Sequence, residues 1–310
     1  MAQEAQIIER FGKYELTKKI GQGGMAEVFL ARLENDRPDA DLVVIKRLHQ
    51  ELEKDRDAVD LFLTEADVTL LLEHPNIIRV YDSGEINGRY YMAMEYVHGK
   101  DLEQIFSRFV QKGIIMEPAI AVHIIFEVVK GLGYVHTAKT TAGRELGIVH
   151  RDVTPSNIFI SSTGQVKLGD FGVAKLMGVE RWTMSGSIKG KLGYLSPEQI
   201  TGTNISQTID LWAAAVILFE FVAGERLFVG ENELDIMLRI RSAKIPSLRK
   251  INKSAPKVLQ KILEKSLHKK EHKRFTTAQD FLDVLDDFLQ AQANVVTPHA
   301  LVQYLVSKLT

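Results

Sequence analysis

The pattern of apolar residues changes near residues 98–100, and this change limits the fold more than any other feature of the chain. Three segments before it are rich in β-forming residues, at 14–20, 26–33 and 42–48. Four segments beyond it carry apolar residues at helical spacing, at 119–136, 209–223, 257–268 and 278–289. Because strands and helices are segregated along the chain, the sequence predicts an α+β protein with a small β-rich lobe and a larger, mostly helical lobe.

The β-rich part contains one helical interval, at 57–73, which Pro75 should end. Strand-like segments return at 77–81 and 90–96, with Asn87-Gly88 between them as a turn. The first lobe is therefore predicted to be an antiparallel sheet with one main helix.

Composition excludes several classes of function. The chain of 310 residues is 45% hydrophobic and 25% charged, and its formal net charge of −1 gives no general attraction for nucleic acid or an acidic membrane. The absence of cysteine excludes disulfides, thiolate metal sites and a cysteine nucleophile. The first residues lack the apolar core of a signal peptide, and the longest apolar run, 213–219, is too short to span a bilayer. We expect a cytoplasmic protein with no membrane span and no nucleic-acid partner.

A glycine-rich segment, Gly21-Gln22-Gly23-Gly24, lies between two predicted strands. Glycine lets backbone N–H groups approach phosphate oxygens without obstruction by side chains, although a tight hairpin would have a similar composition. The segment lacks the Gly-Lys-Ser/Thr ending of a P-loop, and no helix begins after it, which disfavours a dinucleotide-binding fold.

Lys46 ends an apolar strand pattern, and Glu65 lies in the predicted helix between Leu63 and Ala66. Since an unpaired buried charge is costly, we interpret Lys46 and Glu65 as partners rather than as separate surface charges. A lysine held in this way could direct its ammonium group at nucleotide phosphates.

The loop-rich segment 147–198 contains Asp152, Asn157 and the triplet Asp170-Phe171-Gly172. Carboxylate and amide oxygens are suitable ligands for Mg²⁺. One acidic loop residue is usually just solvated. The ordered set of glycine loop, strand lysine, helix glutamate, His-Arg-Asp, Asn and Asp-Phe-Gly is much harder to obtain by chance.

In this order and spacing, the motifs resemble those of eukaryotic-type (Hanks-type) protein kinases. The resemblance covers residues 13–289, and segments such as GQGGMAEV and GKLGYLSPEQ are similar to bacterial Ser/Thr kinases, especially myxobacterial ones. It implies the two-lobed protein kinase fold. The implied parts are an N-terminal extension at 1–12, an N-lobe at 13–97, a C-lobe at 98–289 and a C-terminal helical tail at 290–310.

The resemblance also implies a nucleotide site. In the segment Met94-Glu95-Tyr96-Val97, backbone groups of Glu95 and Val97 would bind adenine, and Asp101 would reach the ribose. Further nucleotide contacts are implied for Ile20, Gly21, Gly23, Gly24, Val28, Val44, Lys46 and Met94.

By the same resemblance, Asp170 and Asn157 hold Mg²⁺, with Mn²⁺ as an alternative, and Asp152 accepts or orients the hydroxyl proton of the substrate. Lys46, held by Glu65, would bind the α- and β-phosphates of ATP. The implied function is transfer of the γ-phosphoryl group of ATP to Ser or Thr hydroxyls of protein substrates. The alternative is a pseudokinase scaffold that binds nucleotide without transferring phosphate, and the oligomeric state stays open.

Two structural features follow from the resemblance and from the tail sequence. Glu198, in Ser196-Pro197-Glu198, is expected to pair with Arg274, and Asp210 matches a structural aspartate of the family. The tail contains Thr297-Pro298, a good helix start, and its helix is expected to dock on the second lobe rather than bind a partner.

Beside the implied base, the chain departs from the family. Thr154 stands two residues after Asp152, where the family usually has lysine, and Lys191 stands where it usually has threonine. We expect Lys191 to reach back toward Asp152 and supply the missing positive charge, while Thr154 supplies a hydroxyl. The alternative is a solvated Lys191 in an enzyme that tolerates Thr154.

The segment 170–198 carries three candidate phosphorylation sites, Thr183, Ser185 and Ser187, of which Ser187 best matches the family's usual site. A phosphate there would bind Arg151 and order the segment. The alternative is three ordinary surface hydroxyls.

Overall fold

The chain was analysed as a computed structural model, which describes residues 7–34, 42–140, 142–171, 191–203, 205–293 and 295–309. It divides into two compact units after Val97. The first lobe holds the residues up to Val97 together with Phe171, and the second lobe holds the other described residues. The predicted α+β architecture is confirmed.

The first lobe is an antiparallel sheet with strand order β1-β2-β3-β4-β6-β5. Its strands are β1 Glu9–Phe11, β2 Tyr14–Gln22, β3 Ala26–Leu33, β4 Val43–Leu48, β5 Val80–Ile86 and β6 Arg89–Glu95. Helix α1, Arg56–Leu70, is capped by Asp55, whose side chain accepts hydrogen bonds from the amides of Asp57 and Ala58. One face of α1 packs against β5 and β6.

Three boundaries in this lobe differ from the sequence prediction. The expected extension at 1–12 contains β1, which pairs with β2 through a turn at Gly12. Phe11 of β1 is buried against the sheet. Helix α1 ends at Leu70 rather than at residue 73, since the amide of Leu72 bonds the carbonyl of Thr69 and closes the last turn. The strand expected at 77–81 begins at Val80 and runs to Ile86.

The turn between β5 and β6 was predicted correctly. Asn87 has φ 51° and Gly88 has φ 79°, which is the left-handed pair that a two-residue hairpin requires.

The second lobe is mostly helical. Its helices are α2 Leu102–Gln111, α3 Pro118–His136, α4 Pro197–Thr201, α5 Thr208–Ala223, α6 Glu233–Ser242, α7 Leu248–Ile251, α8 Lys257–Ser266, α9 Ala278–Gln290 and α10 Pro298–Leu309. A small sheet of β7 Gly99–Asp101, β8 Ile158–Ser161 and β9 Val166–Leu168 lies in the same lobe. Every residue of α5 is buried, so this helix forms the centre of the lobe.

Helix α3 is long and apolar enough to cross a bilayer by length and composition. More than half of that window is buried inside the protein, and α3 packs against α5 and α9. Its apolar residues are those of a core helix, and no other helix in the described part of the chain passes the same test.

The tail helix α10 docks on the second lobe, as predicted. Leu301 and Leu305 are buried, and the amide of Glu117 donates to the Tyr304 hydroxyl at 3.0 Å. Gly164 is required at this contact, because it has φ +87° and a Cβ there would lie 2.0 Å from the carbonyl oxygen of Pro298.

Candidate active site

Lys46 and Glu65 form an ion pair inside the first lobe. Lys46 lies on β4, opposite Val28 of β3 and Met92 of β6. Its Nζ donates to Glu65 Oε1 at 2.8 Å, and both side chains are largely buried. The pairing expected from the sequence is present, because α1 presents Glu65 on the same buried face as Phe62 and Thr69.

The glycine-rich segment is the end of the β2–β3 hairpin. The amide of Gly23 donates to the Ala26 carbonyl at 2.8 Å, and Gly21 is paired with Val28. Since Val28 is also paired with Lys46, the ladder places Gly21, Val28 and Lys46 side by side on three adjacent strands. Gly24 and the exposed Ile20 belong to the same hairpin. The hairpin interpretation is therefore correct, and a role in phosphate binding stays a prediction.

The implied adenine-binding segment follows β6. Val44 of β4 is paired with Met94, and Val43 is paired with Glu95. The amide of Glu95 donates to the Arg79 carbonyl at 2.8 Å, which fixes the end of this strand before Val97.

Asp101 caps helix α2 in the second lobe. Its Oδ1 accepts from the amide of Gln104 at 2.7 Å and its Oδ2 from the side chain of Gln104 at 2.6 Å. Burial raises the pKa of Asp101. The structure shows this carboxylate as a helix cap, and its contact with ribose stays a prediction.

The loop that carries Asp152 is held by Asp210 of α5. The two oxygens of Asp210 accept from the backbone amides of His150 and Arg151, each at 2.8 Å, and Oδ2 also contacts His136 Nε2 at 2.8 Å. Burial opposes the charge of Asp210, yet the hydrogen bond and charge of His136, with the contribution of His150, hold the pKa of Asp210 below its ordinary value. The carboxylate of Asp210, at the centre of the lobe, thus holds the backbone next to Asp152, the implied base.

Arg151 and Asp170 both have left-handed backbone conformations, with φ 64° and φ 53°. Such values are uncommon for residues with a side chain and persist where surrounding contacts enforce them. For Arg151 the enforcing contact is the bond from its amide to Asp210.

Asp152 is buried at the edge of a small cavity and is oriented by two donors. Asn157 Nδ2 bonds both the Asp152 carbonyl at 2.9 Å and Asp152 Oδ2 at 3.1 Å. Lys191 Nζ also donates to Asp152 Oδ2, at 3.1 Å. The carboxylate is therefore held in one orientation and faces a cation.

Lys191 thus reaches Asp152, as the sequence predicts. Its side chain is 39% exposed, whereas that of Asp152 is 10% exposed, so the ammonium group approaches the carboxylate from the solvent side. Thr154 is buried, and its hydroxyl bonds that of Ser156 at 3.0 Å. The side chain of Lys191 is thus partly solvated and in contact with Asp152, and its role in catalysis stays a prediction.

Asn157 and Asp170 have the donor set that Mg²⁺ prefers. The amide of Gly169 donates to the Asn157 carbonyl at 2.9 Å, which ties the two residues together along the loop. Asn157 turns its Nδ2 toward Asp152, so its Oδ1 points away from that carboxylate. Among the described residues no group of three or more His, Asp or Glu side chains could hold a metal alone. Two oxygen donors fit Mg²⁺ that is shared with the phosphates of a nucleotide.

Glu198 and Arg274 form the expected pair. Two parallel hydrogen bonds of 2.6 and 2.9 Å join them, and both side chains are buried. The guanidinium group of Arg274 also lies over the ring of Trp212 at 4.5 Å. This contact fixes the segment after residue 191 to the helical core.

A charged cluster beside Lys191 was missed by the sequence analysis. It consists of Glu103, Tyr194, Glu220 and Arg226, which lie in contact in the second lobe. The one available signal was Glu220, an acidic residue that interrupts the apolar run of α5. Its partners are scattered along the chain, so spacing could not reveal them.

The candidate phosphorylation sites Thr183, Ser185 and Ser187, together with Gly172, lie outside the described residues. Their expected relation to Arg151 stays a prediction.

Comparison with known proteins shows the family to which the sequence is similar. Residues 14–284 match the protein kinase domain family. The tyrosine-protein kinase MasK of Myxococcus xanthus is 34% identical over 283 residues, which cover 91% of this chain and 44% of the relative. The serine/threonine-protein kinase PrkC of Bacillus subtilis is 34% identical over 270 residues, covering 87% of this chain and 39% of the relative.

A solved kinase domain, Mycobacterium tuberculosis PknI, has the same fold, with a TM-score of 0.67 at 24% identity and coverage of 90% of this chain and 97% of that one. The chain belongs to the protein kinase domain family and resembles its bacterial, eukaryotic-type members. It spans less than half the length of these two curated relatives.

Proposed function

We propose that this chain is an active protein kinase that transfers the γ-phosphoryl group of ATP to Ser or Thr hydroxyls of protein substrates. The observation that carries the proposal is Asp152, a carboxylate held by Asn157 and by the cation of Lys191 on a loop fixed by Asp210. A scaffold that only binds nucleotide has no need for an oriented carboxylate at this position.

Asp152 has the orientation of a general base. With Oδ2 held by Asn157 and Lys191, the carboxylate can accept or orient the proton of a substrate hydroxyl. The same restraint fixes where the acceptor oxygen is placed, and positioning accounts for much of the catalysis of phosphoryl transfer.

The charges on ATP have matching partners on this chain. The ammonium group of Lys46, held by Glu65, suits the α- and β-phosphates. Asn157 and Asp170 would hold Mg²⁺, with Mn²⁺ as an alternative, and the ion would neutralise phosphate charge. The hairpin at Gly21, the strand pair of Val44 with Met94, and the backbone of Glu95 and Val97 are the remaining proposed nucleotide contacts, together with Asp101 at the ribose.

We assign the positive charge near the transferred phosphoryl group to Lys191. The transition state spreads negative charge over the phosphoryl oxygens, and a cation at the base stabilises it. Thr154, two residues after Asp152, supplies a hydroxyl in place of the lysine usual in the family.

The acceptor class rests on the relatives' names. PrkC is named a serine/threonine-protein kinase, as is the probable kinase PknB of Lactococcus lactis, which is 33% identical over 272 residues. MasK is named a tyrosine-protein kinase. We favour Ser and Thr, and we place the domain in the cytoplasm, where ATP is available; partners are protein substrates.

The deciding experiment is phosphoryl transfer from labelled ATP with Mg²⁺ to a generic protein substrate, followed by analysis of the labelled amino acids. Asp152→Asn is the control, because it keeps the shape of the side chain and removes the base. We expect label on serine or threonine with the unchanged protein and a large loss with the variant. Label on tyrosine alone would overturn the acceptor class, and ATP binding without transfer would support the scaffold.

A further inference from the structure

A groove of about 430 Å³ in the second lobe begins beside the candidate base. Lys191, which bonds Asp152, lines the groove together with Ile236 of α6. A polypeptide that presents a hydroxyl to Asp152 has side chains within reach of this groove. The groove is therefore placed to select residues that neighbour the acceptor in the substrate, an inference that rests on the proposed function.

Two carboxylates line this groove and contact the same guanidinium group, and we call Glu103 and Glu220 the acidic pair. Glu220 lies at the base, with a side chain 3% exposed, and Glu103 lies at the rim, 42% exposed. Two carboxylates at such depths form a site for a long, basic side chain, since a guanidinium group can bond both.

In this chain the position between the acidic pair is already occupied by Arg226. Its Nη1 donates to Glu220 Oε2 at 2.7 Å and to the hydroxyl of Tyr194, and its Nη2 donates to Glu103. The guanidinium group also lies 4.2 Å from the ring centre of Phe106. Arg226 thus has the contacts that an arginine of a bound polypeptide would otherwise make.

After α5 the chain makes a sharp turn, which places Arg226 at this position. Gly224 ends the helix with φ 76°, and a Cβ there would lie 2.9 Å from the side chain of Ile115. The amide of Leu227 then donates to Glu220 Oε1 at 3.2 Å. Glu220 therefore fixes both the backbone and the side chain of the returning loop.

We propose that Arg226 determines substrate specificity, because its guanidinium group occupies the position between the two carboxylates of the acidic pair. The groove consequently favours substrates that lack arginine or lysine at the position facing Glu103 and Glu220. Removing Arg226 exposes both carboxylates and creates a preference for a basic residue at that position.

The test compares the unchanged protein with Arg226→Gln on a peptide series in which arginine is moved through every position near the acceptor. At one position, the ratio of kcat/KM for the arginine peptide to that for the alanine peptide should rise roughly ten-fold in the variant, mainly through KM. The matched control is Arg239→Gln, which removes an exposed arginine of the same lobe that bonds Asp235. It should leave the ratio unchanged.

The double variant Arg226→Gln with Glu103→Gln should lose the acquired preference, whereas a purely structural role of Arg226 predicts no preference to lose. An unchanged ratio in folded, active Arg226→Gln would overturn the proposal. If that variant does not fold, Arg226→Lys decides, because a single ammonium group cannot bridge both carboxylates. Arg226→Lys should give a smaller rise in the ratio of kcat/KM for the arginine peptide to that for the alanine peptide at the same position. The absence of any rise would also contradict the proposal. Failure of the proposed function is distinct, because then the unchanged protein phosphorylates no peptide.

Discussion

The ammonium nitrogen of Lys191 lies 3.1 Å from Oδ2 of Asp152, the same oxygen that accepts a hydrogen bond from Asn157. The cation arrives from a segment 39 positions along the chain instead of from the loop of Asp152 itself. Thr154 occupies the loop position where the family usually has lysine. A positive charge therefore lies beside Asp152 although it does not come from the loop of Asp152, and its replacement of the lysine usual in the family stays a prediction.

Lys46→Ala should lower turnover roughly 10²- to 10³-fold, because an ammonium group aimed at the phosphates is removed and Glu65 loses a buried charge partner. Turnover and the affinity for ATP should be measured on the same preparation. Lys19→Ala is the matched control, since Lys19 lies in the same lobe and bonds Glu27 at an exposed site. Near-normal turnover of Lys46→Ala would show that the assignment of this pair is wrong.

The stability of the second lobe should depend on pH through Asp210. Its pKa is lowered in the fold, so its stabilising contribution is complete above the unfolded pKa of about 3.9 and is lost as pH falls through the folded pKa. Asp210→Asn should therefore cost more free energy of unfolding at pH 7 than at about pH 3. Urea unfolding at both pH values measures this, and an equal cost at both would contradict the assignment.

Breaking the Glu198–Arg274 pair should cost about 3–5 kcal/mol of unfolding free energy, because the remaining charge would be buried without its partner. Glu198→Gln is the direct variant. The matched comparison is Arg239→Met, which breaks an exposed helical pair with Asp235 and should cost less than about 1 kcal/mol. Chemical denaturation distinguishes the two, and a similar cost for both would refute the structural role.

Phosphate is expected on the cluster of Thr183, Ser185 and Ser187 when the protein is produced with ATP. A dianionic group there would form charge-assisted hydrogen bonds with Arg151. Mass spectrometry locates the phosphate, and the triple alanine variant tests its effect. Full activity of that variant would rule out a phosphorylation switch at these residues.

The sequence predicted the architecture well because the periodicities of strand and helix are segregated along the chain. It also predicted the pair of Lys46 with Glu65, since a buried charge needs a partner, whereas the pair of Glu198 with Arg274 was expected only from the family resemblance. The sequence analysis did not predict helix α2, although Asp101 is a good N-cap for it. The helix predicted at 57–73 extends beyond the end of α1 at Leu70, because the last turn of α1 tightens at Thr69, ahead of the proline.

The Arg226 cluster could not be found from sequence for a physical reason. Glu103, Tyr194 and Arg226 lie on different elements, and only the packing around α5 brings them to Glu220. The contact of Lys191 with Asp152 was expected from the family resemblance, in which lysine and threonine stand at exchanged positions.

The proposed role of the Lys191 cation beside Asp152 is tested most directly by single-turnover phosphoryl transfer with four proteins. These are the unchanged chain, Lys191→Met, Lys191→Thr and the double variant Thr154→Lys with Lys191→Thr. The rate of phosphoryl transfer should fall roughly ten- to a thousand-fold in both single variants, with little change in ATP affinity, because the cation acts mainly in the transition state. The double variant, which returns the cation to the loop of Asp152, should recover part of the loss. Unaltered turnover in Lys191→Met would contradict the relocated charge.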